Sequence, residues 1–197
     1  MIGETKLVIL PDLGMASYLP ATFTTACTLL LVFSFASCKA QHHLTQHTVD
    51  SFKSLANFPY AVALYDADED GDLDCLMAVR TEFSLAPPSA TYVVFQKDLK
   101  AHTVVNATHY LQPGPTPDSN VVILNNDYQH PLRNHFLFTD YENCIILESP
   151  MGGRQECALW VNSALKDIPD ICFDQFQDNC DNGVKAYDQD SCGELIQ

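Results

Sequence analysis

The sequence predicts a mainly β protein: eight antiparallel strands closed into an up-and-down barrel, with one helix near the C-terminus packed on the barrel's outside. Three observations predict this. Short runs of alternating or β-branched residues recur at hairpin spacing from residue 60 onward. Turn-forming clusters separate them: APPS, QPGPTPDS, NNDYQHP and SPMGGR. Near the end, the proline-led segment PDICFDQFQDNC changes to helical spacing.

The first forty residues stand apart. Ala26 to Ala36 reads ACTLLLVFSFA and is followed by the small residues of SFASCKA. The run is shorter than the roughly 20 residues a bilayer span needs. It reads as the apolar region and cleavage site of a secretory signal, cut after Cys38 or Ala40. Residues 1–40 are therefore expected to be removed, leaving 41–197 as a single barrel domain. The removed part carries Glu4 and Asp12 against Lys6 and Lys39, so the net charge of −15 is unchanged. With only ten Lys and Arg in 197 residues, neither nucleic acid nor an anionic membrane surface is an expected partner.

In chain order, a short helix is expected over Thr48–Ala56. Strands follow at Tyr60–Tyr65, Leu73–Phe83, Ala90–Lys97, Ala101–Leu111, Asn120–Asn125, Asn134–Thr139, Asn143–Glu148 and Glu156–Asn162. The last helix starts at Pro169, a residue pre-organised for a first helical position.

Removal of Cys27 and Cys38 leaves six cysteines, an even number that implies three disulfides in a secreted chain. Cys172, Phe176 and Cys180 follow one another at four-residue steps and so share one helix face. The two cysteines lie about 12 Å apart along the axis, too far to bond each other. Each needs a separate partner. The neighbouring strands carry Cys144 and Cys157, so the helix is expected to be tied twice to the last two strands, with Cys75 bonding Cys192 at the tail.

Asn106-Ala-Thr108 is an N-glycosylation sequon. An outward Asn106 sends Thr103, Val105, Ala107, His109 and Leu111 inward, because side chains alternate along a strand. An inward His109 is either a hydrogen-bonded core residue or a ligand contact.

The segments YENCIILES, CALWV, DIPDICFDQFQDNC and DQDSC, with the earlier LDC strand, resemble the tick salivary lipocalins of the histamine-binding-protein family. The resemblance runs from about Phe52 to Cys192 and implies a lipocalin-type barrel. It implies the disulfides Cys75–Cys192 and Cys144–Cys172, leaving Cys157–Cys180. It also implies a saliva protein that sequesters a host mediator, either a biogenic amine or a lipid. Amine-binding members of that family place a glutamate before the leucine-tryptophan pair and an aspartate after the asparagine-cysteine pair. The matching residues here are Ala158 and Ile145. An ammonium buried without a counter-charge costs several kcal/mol, so the usual two-site capture of histamine is not expected.

Other carboxylates could serve a cation at the barrel mouth: Asp66 or Asp68 after Tyr65, and Glu82. Tyr65, Tyr92, Phe95, Phe136, Phe138 and Trp160 are candidate wall residues. Arg80 is an ion-pair partner of Glu82, a solvated side chain, or an anchor for a ligand carboxylate.

The loop Asp66–Cys75, DADEDGDLDC, spaces its acids as an EF-hand does. Position 12 is Met77 rather than a bidentate glutamate, and the flanks are strand-like, so a solvated hairpin loop is the simpler reading. His43 and His47 stand four residues apart at the trimmed N-terminus, and no metal site is expected there. No His-Glu-x-x-His, Gly-x-Ser-x-Gly or phosphate loop is present, so neither an enzyme nor a cofactor is expected. The expected protein is a secreted monomeric mediator-binding lipocalin. The alternatives are a scaffold that binds a host serum protein such as a complement component, and an extracellular calcium-binding domain.

Overall fold

The computed structural model describes residues 48–67, 75–98, 103–151, 153–180 and 183–192. The signal region, His43, His47, Asp68 and most of the acidic loop lie outside the described residues.

Helix α1 (Ser51–Ala56) is followed by β1 (Tyr60–Asp66), β2 (Met77–Leu85), β3 (Pro88–Asp98) and β4 (Thr103–Pro113). Then come β5 (Ser119–Leu124), β6 (Leu132–Thr139), β7 (Cys144–Met151), β8 (Arg154–Asn162), α2 (Asp170–Cys180), β9 (Val184–Lys185) and α3 (Gln189–Cys192). Strands β1 to β8 pair antiparallel in chain order, and β8 returns to β1. The barrel closes where Tyr60–Val62 of β1 face Val79–Met77 of β2. Beyond that point β1 leaves β2 and pairs with β9 through Tyr65 and Asp66. β2 starts later than the expected Leu73, because Cys75 adopts a left-handed backbone (φ 56°) that turns the chain just before Met77. Neither β9 nor α3 is foreseen from sequence, since both are too short to carry a periodic pattern.

Helix α1 shuts one end of the barrel. The Asp50 carboxylate caps it by accepting from the Lys53 N–H at 3.0 Å. Hydrogen bonds then tie this segment to two connections and to the end of β8. Ser51 N donates to the Pro117 carbonyl, the Asn57 amide to the Tyr141 carbonyl, and the Asn162 amide to the Asn57 carbonyl. Phe52, Leu55 and Phe58 are buried among inward residues of the strands.

Helix α2 packs outside. Its Cys172, Phe176 and Cys180 bury against Val62, Phe138, Ile146, Leu159 and Val161, the outward residues of the sheet. Disulfides join Cys144 of β7 to Cys172 and Cys157 of β8 to Cys180. Cys75 is bonded to Cys192 across 117 residues of chain.

Candidate functional site

The inward side chains enclose a cavity of about 530 Å3, within the usual size range of small-molecule sites. Its position follows from strand alternation. On β4, Val105, Ala107, His109 and Leu111 face it, because the strand pairs with β3 without a register shift. Phe136 and Trp160 also line it, as does Tyr92. Leu55 and Phe58 of the α1 segment form its floor. These floor residues escape sequence reasoning, which places α1 before the barrel without saying what it covers. Gln96, Asn134 and Ser149 supply neutral polar groups to the wall; Asn134 is marked only by standing two residues before Phe136 on the same strand.

Three β-bulges move expected wall residues elsewhere, since one extra residue flips every later side chain to the opposite face. The shift between Ala63 and Tyr65 turns Tyr65 outward, where its ring meets Phe173 edge-on at 5.7 Å. The shift between Phe136 and Phe138 sends Phe138 under α2. The shift between Arg80 and Glu82 leaves Glu82 exposed, accepting from the Thr91 hydroxyl at 3.2 Å. Phe95 packs on the outer side as well, opposite Met77.

Arg80 fits none of its three sequence-based readings. It stands beside Tyr92 in the register, and its guanidinium donates to the Leu55 and Ala56 carbonyls. There it satisfies the open C-terminal end of α1 and the helix dipole. The Tyr92 hydroxyl donates to the Phe58 carbonyl at 2.9 Å. Burial pushes this phenol up to about 12, with the nearby Arg80 charge opposing the rise. Both groups are thus committed to holding the plug. Asp66 is buried opposite Ala158 at the end of β1 but is not part of the cavity wall. Asn106 is exposed at the rim, near the start of β4.

The electrostatics of the wall are simple. Among the described residues it contains no Asp, Glu, Lys or Arg. Its one titratable group near neutral pH is His109, which burial lowers to about 4, so the imidazole is neutral. Ile145 lies in the wall opposite Trp160, and Ala158 is buried beside them. Asp140, Cys144 and Cys172 bring ligand-type atoms together, but both sulfurs are used in a disulfide.

The fold has solved counterparts. Lobster apocrustacyanin A1 superposes with a TM-score of 0.52 at 14% identity, covering 72% of this chain and 83% of that one. Apocrustacyanin C2 does so with a TM-score of 0.52 at 15% identity and the same coverage. The tryptamine complex of the amine-binding protein of Rhodnius prolixus gives a TM-score of 0.49 at 11% identity, over 77% of this chain and 93% of that one. The two apocrustacyanin likenesses are to the fold. Comparison with curated proteins gives no match. The sequence model of the tick histamine-binding protein matches residues 39–194, nearly the whole barrel with its helix and cysteines, and the chain belongs to that family of lipocalins.

Proposed function

We propose that this chain is a secreted lipocalin that captures one small host mediator in its barrel, blunting inflammation or haemostasis, and that the mediator is a lipid rather than a biogenic amine. The observation that carries this reading is the wall itself: about 530 Å3 bounded mainly by aliphatic and aromatic side chains, with neutral polar groups and no formal charge among the described residues. An ammonium entering it would shed water and meet no carboxylate among the described residues, at a cost of several kcal/mol. Each 1.4 kcal/mol, approximately, is tenfold in affinity. A mediator with a long apolar body loses nothing of that kind and gains from burial. The N-terminal apolar run and three disulfides support secretion.

Calorimetry of the secreted protein with histamine, serotonin, arachidonic acid and a leukotriene tests the choice. Binding of the lipids and weak or absent binding of both amines is expected. Tight histamine binding without lipid binding would overturn it. Heat from none of the four, together with binding to a serum protein, would move the function to the outer surface instead.

A further inference from the structure

We infer that His109 receives the polar end of the captured molecule, and that a ligand carboxyl group enters the cavity together with one proton. The inference rests on the lipid reading above and goes further by naming the group that sorts one lipid from another.

His109 sits on the cavity face of β4, opposite Tyr92 on β3 and Leu124 on β5. The charged and titratable groups around it are already engaged. Tyr92 donates to Phe58, and Arg80, one strand further on, is held by the end of α1. The inward residues of β5 are Asn120, Val122 and Leu124, none of which titrates near neutral pH. Among the described residues the His109 imidazole has no hydrogen-bond or ion-pair partner, and its ring opens on the cavity. A neutral imidazole offers one donor and one acceptor nitrogen. Gln96, Asn134 and Ser149 offer an occupant neutral polar groups only, so in this wall His109 is the group whose protonation can change when an occupant arrives.

The consequence differs by ligand class. A carboxylate brings a negative charge that this wall cannot solvate. One proton taken from solvent onto the imidazole–carboxylate pair makes the pair neutral as a whole; no bond other than that to the proton is formed or broken. An alcohol hydrogen-bonds to the neutral ring and needs no proton. An ammonium finds an acceptor nitrogen but no counter-charge, because His109 can only add charge of the same sign. Burial keeps the empty site's imidazole unprotonated at pH 7, so the proton must arrive with the acid. Linkage then requires the acid's affinity to fall about tenfold per pH unit wherever the free acid and free imidazole are both deprotonated but the complex holds the proton. The alcohol's affinity should stay flat over the same range.

The test is calorimetry of the secreted protein with arachidonic acid and with arachidonyl alcohol, in buffers of different ionisation enthalpy. Uptake of close to one proton per acid bound, and none per alcohol, is expected. In H109Q the acid's affinity should fall tenfold or more, with thermal unfolding checking that the variant is folded. The count on the native protein stands without the variant. Acid binding with buffer-independent heat would overturn the inference alone. Binding of neither probe would remove the lipid reading and this inference with it.

Discussion

The two faces of one sheet are built to opposite ends. On β7 and β8 the outward Cys144, Ile146, Leu159 and Val161 are almost fully buried beneath α2, with Phe138 and Phe176 filling the space between them. Two of the three disulfides cross this layer. The inward residues of the same strands, Ile145, Leu147 and Trp160, line an open volume. Adjacent residues on one backbone thus serve a filled layer and a hollow one. Dispersion contacts and cross-links concentrated outside can hold the strands in place, so the inside need not be packed to keep its shape. This arrangement fits a binding wall that stands ready before its occupant arrives.

The cross-links are where this contrast breaks most easily. Closing 117 residues of chain, the Cys75–Cys192 bond is expected to contribute about 5 kcal/mol by restricting the unfolded state. The C75A/C192A protein should show that loss in urea unfolding; a loss under roughly 2 kcal/mol would mean that α3 and the start of β2 hold together without the bond. A matched pair of truncations compares the layers directly. Phe176→Ala empties a filled layer and should cost about 3–5 kcal/mol. Phe136→Ala removes a ring that already borders empty space and should cost roughly 2 kcal/mol while enlarging the cavity. Equal losses would show that the two faces are packed alike.

The hollow face also carries an acid sensitivity of its own. His109 has a folded value of about 4, below its ordinary 6.5. Between these values the unfolded chain binds the proton and the folded barrel does not. The neutral histidine's contribution is therefore complete above about pH 6.5 and is lost as pH falls toward 4, on the order of 2–3 kcal/mol. Empty protein should lose stability over this window, and H109Q should lose less. Identical unfolding profiles for the two proteins would remove His109 from the acid response.

Much of this was legible in the sequence, for reasons that particular residues show. The eight strands are evident from alternation, and α2 from the four-residue steps of Cys172, Phe176 and Cys180. The facing of His109 could be inferred from Asn106, because no bulge interrupts β4 between them. The same parity argument failed for Tyr65, Phe138 and Glu82, where bulges intervene. No glycine marks those bulges: the stretches are Ala63-Leu64-Tyr65, Arg80-Thr81-Glu82 and Phe136-Leu137-Phe138. A pattern with a period of two cannot report an extra residue whose side chain suits either face. The role of Arg80 was hidden for a different reason. Its partners are backbone carbonyls of a helix 24 and 25 residues away, and carbonyls have no sequence signature.

The smallest expected effect is the sharpest check on that account. Glu82 reads from sequence as a carboxylate available to a ligand, yet the bulge before it turns it to solvent beside Thr91. An exposed side chain with one neighbouring hydroxyl contributes little, so Glu82→Gln should change stability by less than about 0.5 kcal/mol. It should leave the affinity of both acid and alcohol probes unaltered, because the carboxylate lies on the other side of the sheet from the cavity. A measurable change in ligand affinity would mean that Glu82 reaches the interior and that β2 runs straight through Thr81. The outward placement of Glu82 would then fall, and with it the uncharged wall on which the preference for lipids depends.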